Sequence, residues 1–293
     1  MLMNMKDLLK VANKHSFAVP AFNIGTGQIL NGVMDTCERL KAPVILEIHP
    51  LELHFQGESF MKMCIDRAQK SPLPVAIHLD HSGWDTIVEA VHCGFTSVMI
   101  DASSLPFEEN IAITKKVCEL AQPLGISVEA ELGTIGSTQG DTEGGTETIL
   151  YTDPEDAVRF VEATGVDTLA IAIGTSHGLY PKGMQPELKQ DLLSEIKAKL
   201  PDTPLVLHGG SGNKDEEIAE AVKRGINKIN ISSDIKDAFY QQLRITLADD
   251  PKIREPFELY PDSVEAMNKV VEHKVRLFND DDKLQYYVLN DML

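Results

Sequence analysis

Short apolar runs rich in Val and Ile recur along the chain, separated by longer stretches whose apolar residues fall three and four apart. The runs read as strands: FAVPAF (17–22), PVILEIH (43–49), PVAIHLD (74–80), SVMID (97–101), ISVEAE (126–131), DTLAIAI (167–173), PLVLH (204–208) and INKINI (226–231). Residues 107–122 and 154–164 carry helical spacing. In TDPEDAVRFVEATG both helix ends are visible: Thr152 or Asp153 as cap, Pro154 at the start, acidic residues in the first turn, and Gly165 at the close. Eight strands alternating with helices predict an α/β fold, a (β/α)8 TIM barrel. A doubly wound open sheet fits less well, since it usually has fewer strands and no GxGxxG turn follows the first strand here. From about residue 250 a proline-punctuated loop leads to a helix with Met267, Val270, Val271 and Val275 on one stripe. With no internal repeat, the expectation is one domain over 1–293, with about 250–293 as a C-terminal helical extension.

Composition narrows the function classes. Apolar residues make up 43% and charged residues 25% of 293, as in ordinary soluble globular proteins. A net charge of −18 argues against nucleic acid, whose binders need a cationic footprint, but leaves room for a local site that takes a small anion. Cys37, Cys64, Cys93 and Cys118 form no CxxC pair and no dense framework, which suits a reducing compartment. The opening MLMNMKDLLK lacks the long apolar core of a signal peptide, and no stretch reaches about 18 apolar residues. A cytoplasmic location without a membrane partner is expected.

The polar residues sharpen the picture. Active sites of (β/α)8 barrels gather at the C-terminal ends of the strands. Here the third strand ends in Asp80-His81, the fourth in Asp101, and the fifth in Glu129 and Glu131. The sixth runs into GTSHG with His177, the seventh ends at His208 in HGGSG, and the eighth carries Asn230 in NISSD. A histidine at one strand end is usually a hydrogen-bonded structural residue. Three of them, His81, His177 and His208, on separate strand ends match a way of building an open zinc site. His78 admits either role, whereas His15, His54, His92 and His273 fall in helix or loop patterns. HGGSG (208–212) and NISSD (230–234) follow strands seven and eight, where barrels often bind phosphate through backbone N–H groups. Plain turn and cap chemistry would use the same residue types.

In this order and spacing, HLDH, EAELG, YTDPEDA, IGTSHGLY, LVLHGGSG and KINISSD resemble the class II, zinc-dependent fructose/tagatose-bisphosphate aldolases, a ketose-bisphosphate aldolase family. The resemblance runs from about residue 5 to 280 and implies a (β/α)8 barrel, usually a homodimer or homotetramer, acting on a small-molecule sugar phosphate. It implies zinc on His81, His177 and His208, with Glu131 beside the metal as a support or alternate ligand and Asp101 close by, and leaves room for a monovalent cation (Na+ or K+). Asp80 would exchange a proton with the aldehyde-derived oxygen. Asn230 would contact the reacting hydroxyls or the enediolate, and Asn23 would line the pocket. Gly178, Gly209, Ser211, Ser232 and Ser233 would hold the phosphate of a dihydroxyacetone phosphate half. A metal that stabilises the enediolate removes the need for a Schiff-base lysine, and no proposed strand end places a lysine at the barrel centre, with the direction of Lys228 left open.

Three features depart from the family pattern. The loop after strand five reads GSTQGDTEGGTETI, placing Gln139 where the family has a glutamate that moves a proton at carbon; either Glu143 or Asp141 substitutes from this Gly-rich loop, or both are plain solvated acidic residues. Strand two ends in LEIHP, so His49 stands where relatives that bind a second phosphate carry a serine. The family's DPR arginine is Lys252 here, a point charge without the guanidinium fork. The sequence therefore suggests an acceptor aldehyde without the usual glyceraldehyde 3-phosphate pose. Two other readings stay open: another zinc-dependent sugar-phosphate enzyme such as an epimerase or hydrolase, and a non-catalytic sugar-phosphate-binding subunit or sensor, which Gln139 favours.

Overall fold

Eight parallel strands close on themselves in the order β1-β8-β7-β6-β5-β4-β3-β2. They are β1 (Val19–Asn23), β2 (Val44–Ile48), β3 (Val75–Ser82), β4 (Ser97–Ile100), β5 (Ser127–Leu132), β6 (Thr168–Ile171), β7 (Leu205–Leu207) and β8 (Ile226–Ile231). The computed structural model describes residues 1–137, 149–180 and 187–287. Helix α1 (Met5–His15) precedes the barrel. Then α2 (Gly27–Leu40) follows β1, α3 (Pro50–Gln56) and α4 (Glu58–Lys70) follow β2, α5 (Trp84–Cys93) follows β3, and α6 (Phe107–Ala121) follows β4. The succession continues with α7 (Pro154–Thr164), α8 (Gln190–Lys199), α9 (Asp215–Lys223) and α10 (Ser233–Asp249), and the chain goes on into α11 (Pro256–Leu259) and α12 (Pro261–Leu277). This is the expected (β/α)8 barrel.

Local chemistry accounts for the element ends. Asp153 accepts from the N–H groups of Glu155 and Asp156 and so starts α7, while Gly165 closes it at φ 67°. Thr152, the other cap candidate, instead donates to the Leu132 carbonyl and receives the Ala172 N–H, tying β5 to the segment after β6.

Strand geometry sends alternate residues inward. At the lower end of the barrel, Val19, Ala21, Ile45 and Ala76 pack against Met5, Leu8, Leu9 and Ala12 of α1, so this helix forms an apolar floor. The outer faces of the strands pack on the surrounding helices in a larger apolar core. Helix α12 lies between α2 and α10 and buries Met267, Val271 and Val275, three of the four residues on its sequence stripe, with Val270 half-buried. The four cysteines are free thiols. Among the described residues no helix is long and apolar enough to cross a membrane.

One buried group sits poorly in this core. Asp280, fully buried just past α12, has no hydrogen-bond partner for either carboxylate oxygen among the described residues. Burial pushes its carboxyl well above the usual range, opposed by Lys283 and reinforced by Asp281. The native state therefore favours a protonated Asp280, and stability present at low pH is lost as pH rises above the unfolded carboxyl value near ~4. Asp280→Asn should raise the melting temperature at pH 7–8 by roughly 2–4 °C, as expected for relief of about 1–2 kcal/mol. The gain should shrink as pH falls toward ~4, and melting curves across that range check it.

Candidate active site

Parallel closure brings every strand's C-terminal end to one rim, and registration then decides which side chains meet. Asn23 of β1 pairs with Glu47 of β2, Glu47 with His78 of β3, and His78 with Ser97 of β4. On the other side of β1, Ala21 pairs with Asn230 of β8. Because residues two apart share a face, His78 lies below Asp80, Glu129 below Glu131 and Lys228 below Asn230, with Glu47 level with His78. The interior thus carries a lower polar layer directly beneath the rim residues.

The rim is built around three imidazoles. The His81 ring lies 4.8 Å from that of His177 and 4.6 Å from that of His208, and the His177 and His208 rings are 6.4 Å apart. His81 Nδ1 donates to Asp101 Oδ2 at 2.9 Å, and Asp101 is held in turn by the N–H and hydroxyl of Ser103. That leaves His81 Nε2, which is buried and without a hydrogen-bond partner among the described residues. Asp80 Oδ1 lies 3.9 Å from it. His208 is bound at both nitrogens, Nδ1 to Glu131 and Nε2 to Glu129, each at 2.8 Å. Potential ligand atoms of Asp80, His81 and His208 fall within 4.8 Å of one another, as do those of His81, Asp101 and Glu131. A cleft of about 200 Å3 opens beside them, lined by His81, Asp101, Glu131, Thr134 and His177.

Backbone geometry serves this cluster. His81 has φ 35°, in the left-handed region where a non-glycine residue is strained. The β3–β4 register shifts between Leu79 and Ser82, at the same place. After β7, a Cβ on Gly209 would lie 2.5 Å from the Ser176 carbonyl oxygen, and one on Gly210 would lie 2.7 Å from the Asn230 carbonyl oxygen. Only glycine lets the strand bearing His208 approach the backbone of both neighbours so closely.

Electrostatics set the protonation states. Burial alone would raise Asp80, but His81, Lys228 and His208 outweigh it and, with the Asn23 amide, hold this carboxyl well below the usual range. Asn23 Nδ2 donates to Asp80 Oδ2 at 2.9 Å and Asn230 Nδ2 to Oδ1 at 3.1 Å. Burial disfavours charge on His81, yet Asp80 and Asp101 push it up to about 10. Burial and the charge of His81 likewise oppose protonation of His208, but Glu129 and Glu131 lift it to about 9.

The remaining expected residues divide by position. Ser211 is buried and accepts the Asp234 N–H at 3.3 Å, which joins the loop after β7 to the first turn of α10. Ser232 and Ser233 stand at the N-terminus of that 17-residue helix, with no side-chain cap from Ser232. Gly178 and Gly209 both have positive φ, 84° and 65°. His49 caps α3, its Nδ1 accepting the Leu51 N–H at 3.2 Å. Lys252 stands exposed on the turn after α10, where its N–H donates to Asp250, and no contact among the described residues links its side chain to the rim. Gln139, Asp141 and Glu143 lie outside the described residues. His15 stacks on Tyr286, His54 pairs with Glu89 and His273 with Asp215, all away from the imidazole cluster.

Lys228, whose direction the sequence left open, is fully buried inside the barrel. Its Nζ lies 2.7 Å from Glu47 and 3.2 Å from Glu129, and it donates to Asn230 Oδ1 at 2.7 Å. Burial opposes its charge, but Glu129, Glu47 and Asp80 outweigh burial and raise its pKa. An ammonium held charged by carboxylates is not a nucleophile, so this lysine is unsuited to Schiff-base chemistry. Burial of His78 lowers its pKa to about 3; it is therefore neutral, with Nδ1 on Ser97 Oγ at 2.7 Å. The signal for this lower layer was the two-residue repeat of polar groups inside otherwise apolar strands.

Comparison with solved structures places the chain among aldolases. The YdjI aldolase from Escherichia coli K12 is 34% identical with a TM-score of 0.84, over 97% of this chain and 100% of that one. A putative fructose-1,6-biphosphate aldolase from Coccidioides immitis is 26% identical with a TM-score of 0.84, over 97% and 98%. Fructose-bisphosphate aldolase (Fba) from Campylobacter jejuni is 25% identical with a TM-score of 0.78, over 96% and 97%. The family model described as fructose-bisphosphate aldolase class-II matches residues 3–283, so this chain belongs to the class II fructose-bisphosphate aldolase family and is an aldolase, a carbon–carbon lyase.

Proposed function

We propose that the protein is a zinc-dependent aldolase that cleaves a ketose 1-phosphate or ketose 1,6-bisphosphate into dihydroxyacetone phosphate and an aldehyde. The observation that carries this reading is the convergence of His81, His177 and His208 beside an ionised Asp80, with His81 Nε2 buried and without a hydrogen bond among the described residues. That orphaned nitrogen, oriented by Asp101 on its far side, fits a metal ligand, since metal-bound imidazoles commonly donate their other N–H to a carboxylate. Glu131 and Glu129 flank His208 in the same manner, although metal binding at that ring requires one of them to give way. When bound, zinc supplies a Lewis acid for the charge that C–C cleavage leaves beside the carbonyl.

The chain's own groups account for the proton movements. Asp80, held ionised, accepts the proton of the hydroxyl that becomes the aldehyde carbonyl. As that oxygen forms its double bond, the C–C bond breaks and its electrons stay on the ketose-derived fragment as an enediolate. Asn230, fixed against Asp80, faces the reacting hydroxyls, and Asn23 holds the second Asp80 oxygen. Return of a proton to carbon is assigned to Glu143, which follows β5 in sequence. The phosphate of the triose half is assigned to Gly178, Gly209, Ser211, Ser232 and Ser233, where backbone N–H groups and the N-terminus of α10 favour an anion.

At the other end of the substrate, His49 and Lys252 replace the residues that hold a second phosphate in relatives. His49 already uses Nδ1 to cap α3, which supports an acceptor aldehyde carrying no phosphate or a different anion. The working assembly is taken to be a homodimer or homotetramer, and a monovalent cation (Na+ or K+) is admitted beside the zinc.

A screen of ketose phosphates with zinc-loaded protein, following triose phosphate release, tests the function as a whole. Tight binding without turnover would favour a sensor, and isomerised sugar without triose phosphate an epimerase. Within that screen, ketose 1-phosphates should match or exceed fructose 1,6-bisphosphate in kcat/KM; a strong preference for the bisphosphate refutes the acceptor assignment. Exhaustive chelation should abolish turnover and added zinc restore it, while His208→Ala should weaken zinc binding by at least about 100-fold, measured by competition with a chromogenic chelator. Asp80→Asn should retain zinc yet lower kcat by about 10²–10⁴-fold, the usual worth of a positioned acid–base group.

A further inference from the structure

We propose that Lys228 is the positioning residue that fixes the Asn230 amide against Asp80, and that turnover depends on this orientation. The inference rests on Asp80 and Asn230 acting in aldol cleavage as proposed above. An asparagine amide has two ends of nearly equal size, so its neighbours decide which end points where. An ammonium only donates and an ionised carboxylate only accepts. Asn230 lies between one of each: its Oδ1 accepts from Lys228 Nζ at 2.7 Å and its Nδ2 donates to Asp80 Oδ1 at 3.1 Å. The reversed amide would set N–H against ammonium and carbonyl against carboxylate. One orientation satisfies both partners.

Lys228 is itself held without slack. Its Nζ donates to Glu129 at 3.2 Å and to Asn230 at 2.7 Å and forms an ion pair with Glu47 at 2.7 Å, and its side chain is fully buried. The two glutamates come from β2 and β5, so the ammonium is referenced to strands on different sides of the barrel. Position therefore passes from those strands through Lys228 to Asn230 and on to Asp80. Asn23 grips the other Asp80 oxygen from β1. Asn230, Asp80, Glu47 and Glu129 are all buried. Misplacement of a reacting group by about 1 Å commonly costs on the order of 100-fold in rate.

The test compares wild type with Lys228→Met, Lys228→Arg and the double variant Lys228→Met/Glu47→Gln, which deletes the ammonium together with its nearest carboxylate and keeps a folded protein available. Zinc content and melting temperature establish that each variant is folded and loaded. Crystal structures of the folded variants then read the Asn230–Asp80 contact directly. Variants without the ammonium should show Asn230 turned away from Asp80 and kcat lower by about 10–100-fold, with KM within about twofold and zinc content unchanged. Lys228→Arg should keep the contact and recover much of kcat. An intact Asn230–Asp80 contact without the ammonium, or wild-type kcat after its loss, overturns the proposal. Should wild type release no triose phosphate from any ketose phosphate, the aldolase substrate reading fails, and the crystallographic result alone decides whether Lys228 orients Asn230.

Discussion

A single ammonium under the rim makes the interior charge distribution tenable. Glu47, Asp80, Glu129 and Glu131 are all buried, and each ionised carboxylate taken from water costs several kcal/mol unless it is compensated. Lys228 reaches two of them directly and influences a third. Burial would raise Glu129, but Lys228 and His208 overcome it and bring its carboxyl down to about 2. Glu47 goes the other way: burial and the charge of Asp80 outweigh Lys228, and its carboxyl is pushed well up. Glu131 completes the set against His208. Positive charge gathers on His81 and His208 for the same reason. A divalent ion held by these rings would replace protons with metal charge at the same place, as expected where ligands must deprotonate to bind.

Backbone constraint complements charge. A barrel strand fixes its side chains to one or the other face, yet the cluster needs His81 and Asp80, adjacent in sequence, to serve one site. The left-handed φ of His81 and the register shift in β3 resolve this, turning the chain so that both side chains reach the rim interior. Strain of order 1–3 kcal/mol at one residue is sustainable only because the surrounding barrel is rigid. Gly209 and Gly210 make a second accommodation, bringing His208 close to the segment that carries His177 and to the backbone of β8. Tyr180 secures that segment from the other side, its hydroxyl accepting the Ser176 N–H at 2.7 Å.

Much of this was legible in the sequence because barrel architecture translates order into place. Apolar runs with turn residues at each end located all eight strands within a few residues, and the cap and closing glycine set α7 at 154–164. The rim residues were found by asking which groups end the strands. The layer beneath was not found. In INKINI the lysine lies between apolar neighbours, and its direction depends on strand parity, which a shift of one residue inverts. Only registration against β1, with Val19 beside Lys228 and Ala21 beside Asn230, settles that both point inward. Glu129 and Glu131 were read as rim groups together, whereas their different depths appear only from their partners: Lys228, His78 and His208 for the lower, His208 for the upper. His49 shows the converse, a residue whose cap role comes from the helix that follows it rather than from the strand it ends.

The C-terminal helix, which the sequence pattern marked only as an addition to the barrel, is tied to the same rim. Lys274 of α12 is nearly buried and pairs with Asp234 at 2.7 Å. Asp234 in turn accepts the Gly212 N–H at 3.2 Å, while its own N–H reaches Ser211 Oγ. A carboxylate in the first turn of α10 is already favoured by the helix dipole, and a buried cation behind it removes the remaining freedom of the side chain. The loop after β7 and the start of α10 are therefore joined through Asp234, and the joint is anchored from outside the barrel by α12. On the phosphate assignment proposed above, these two segments would hold their separation before the anion arrives, since donors that reorganise on binding give up part of their advantage. Lys274, remote in sequence from both loops and absent from every motif, would serve that preorganisation through Asp234.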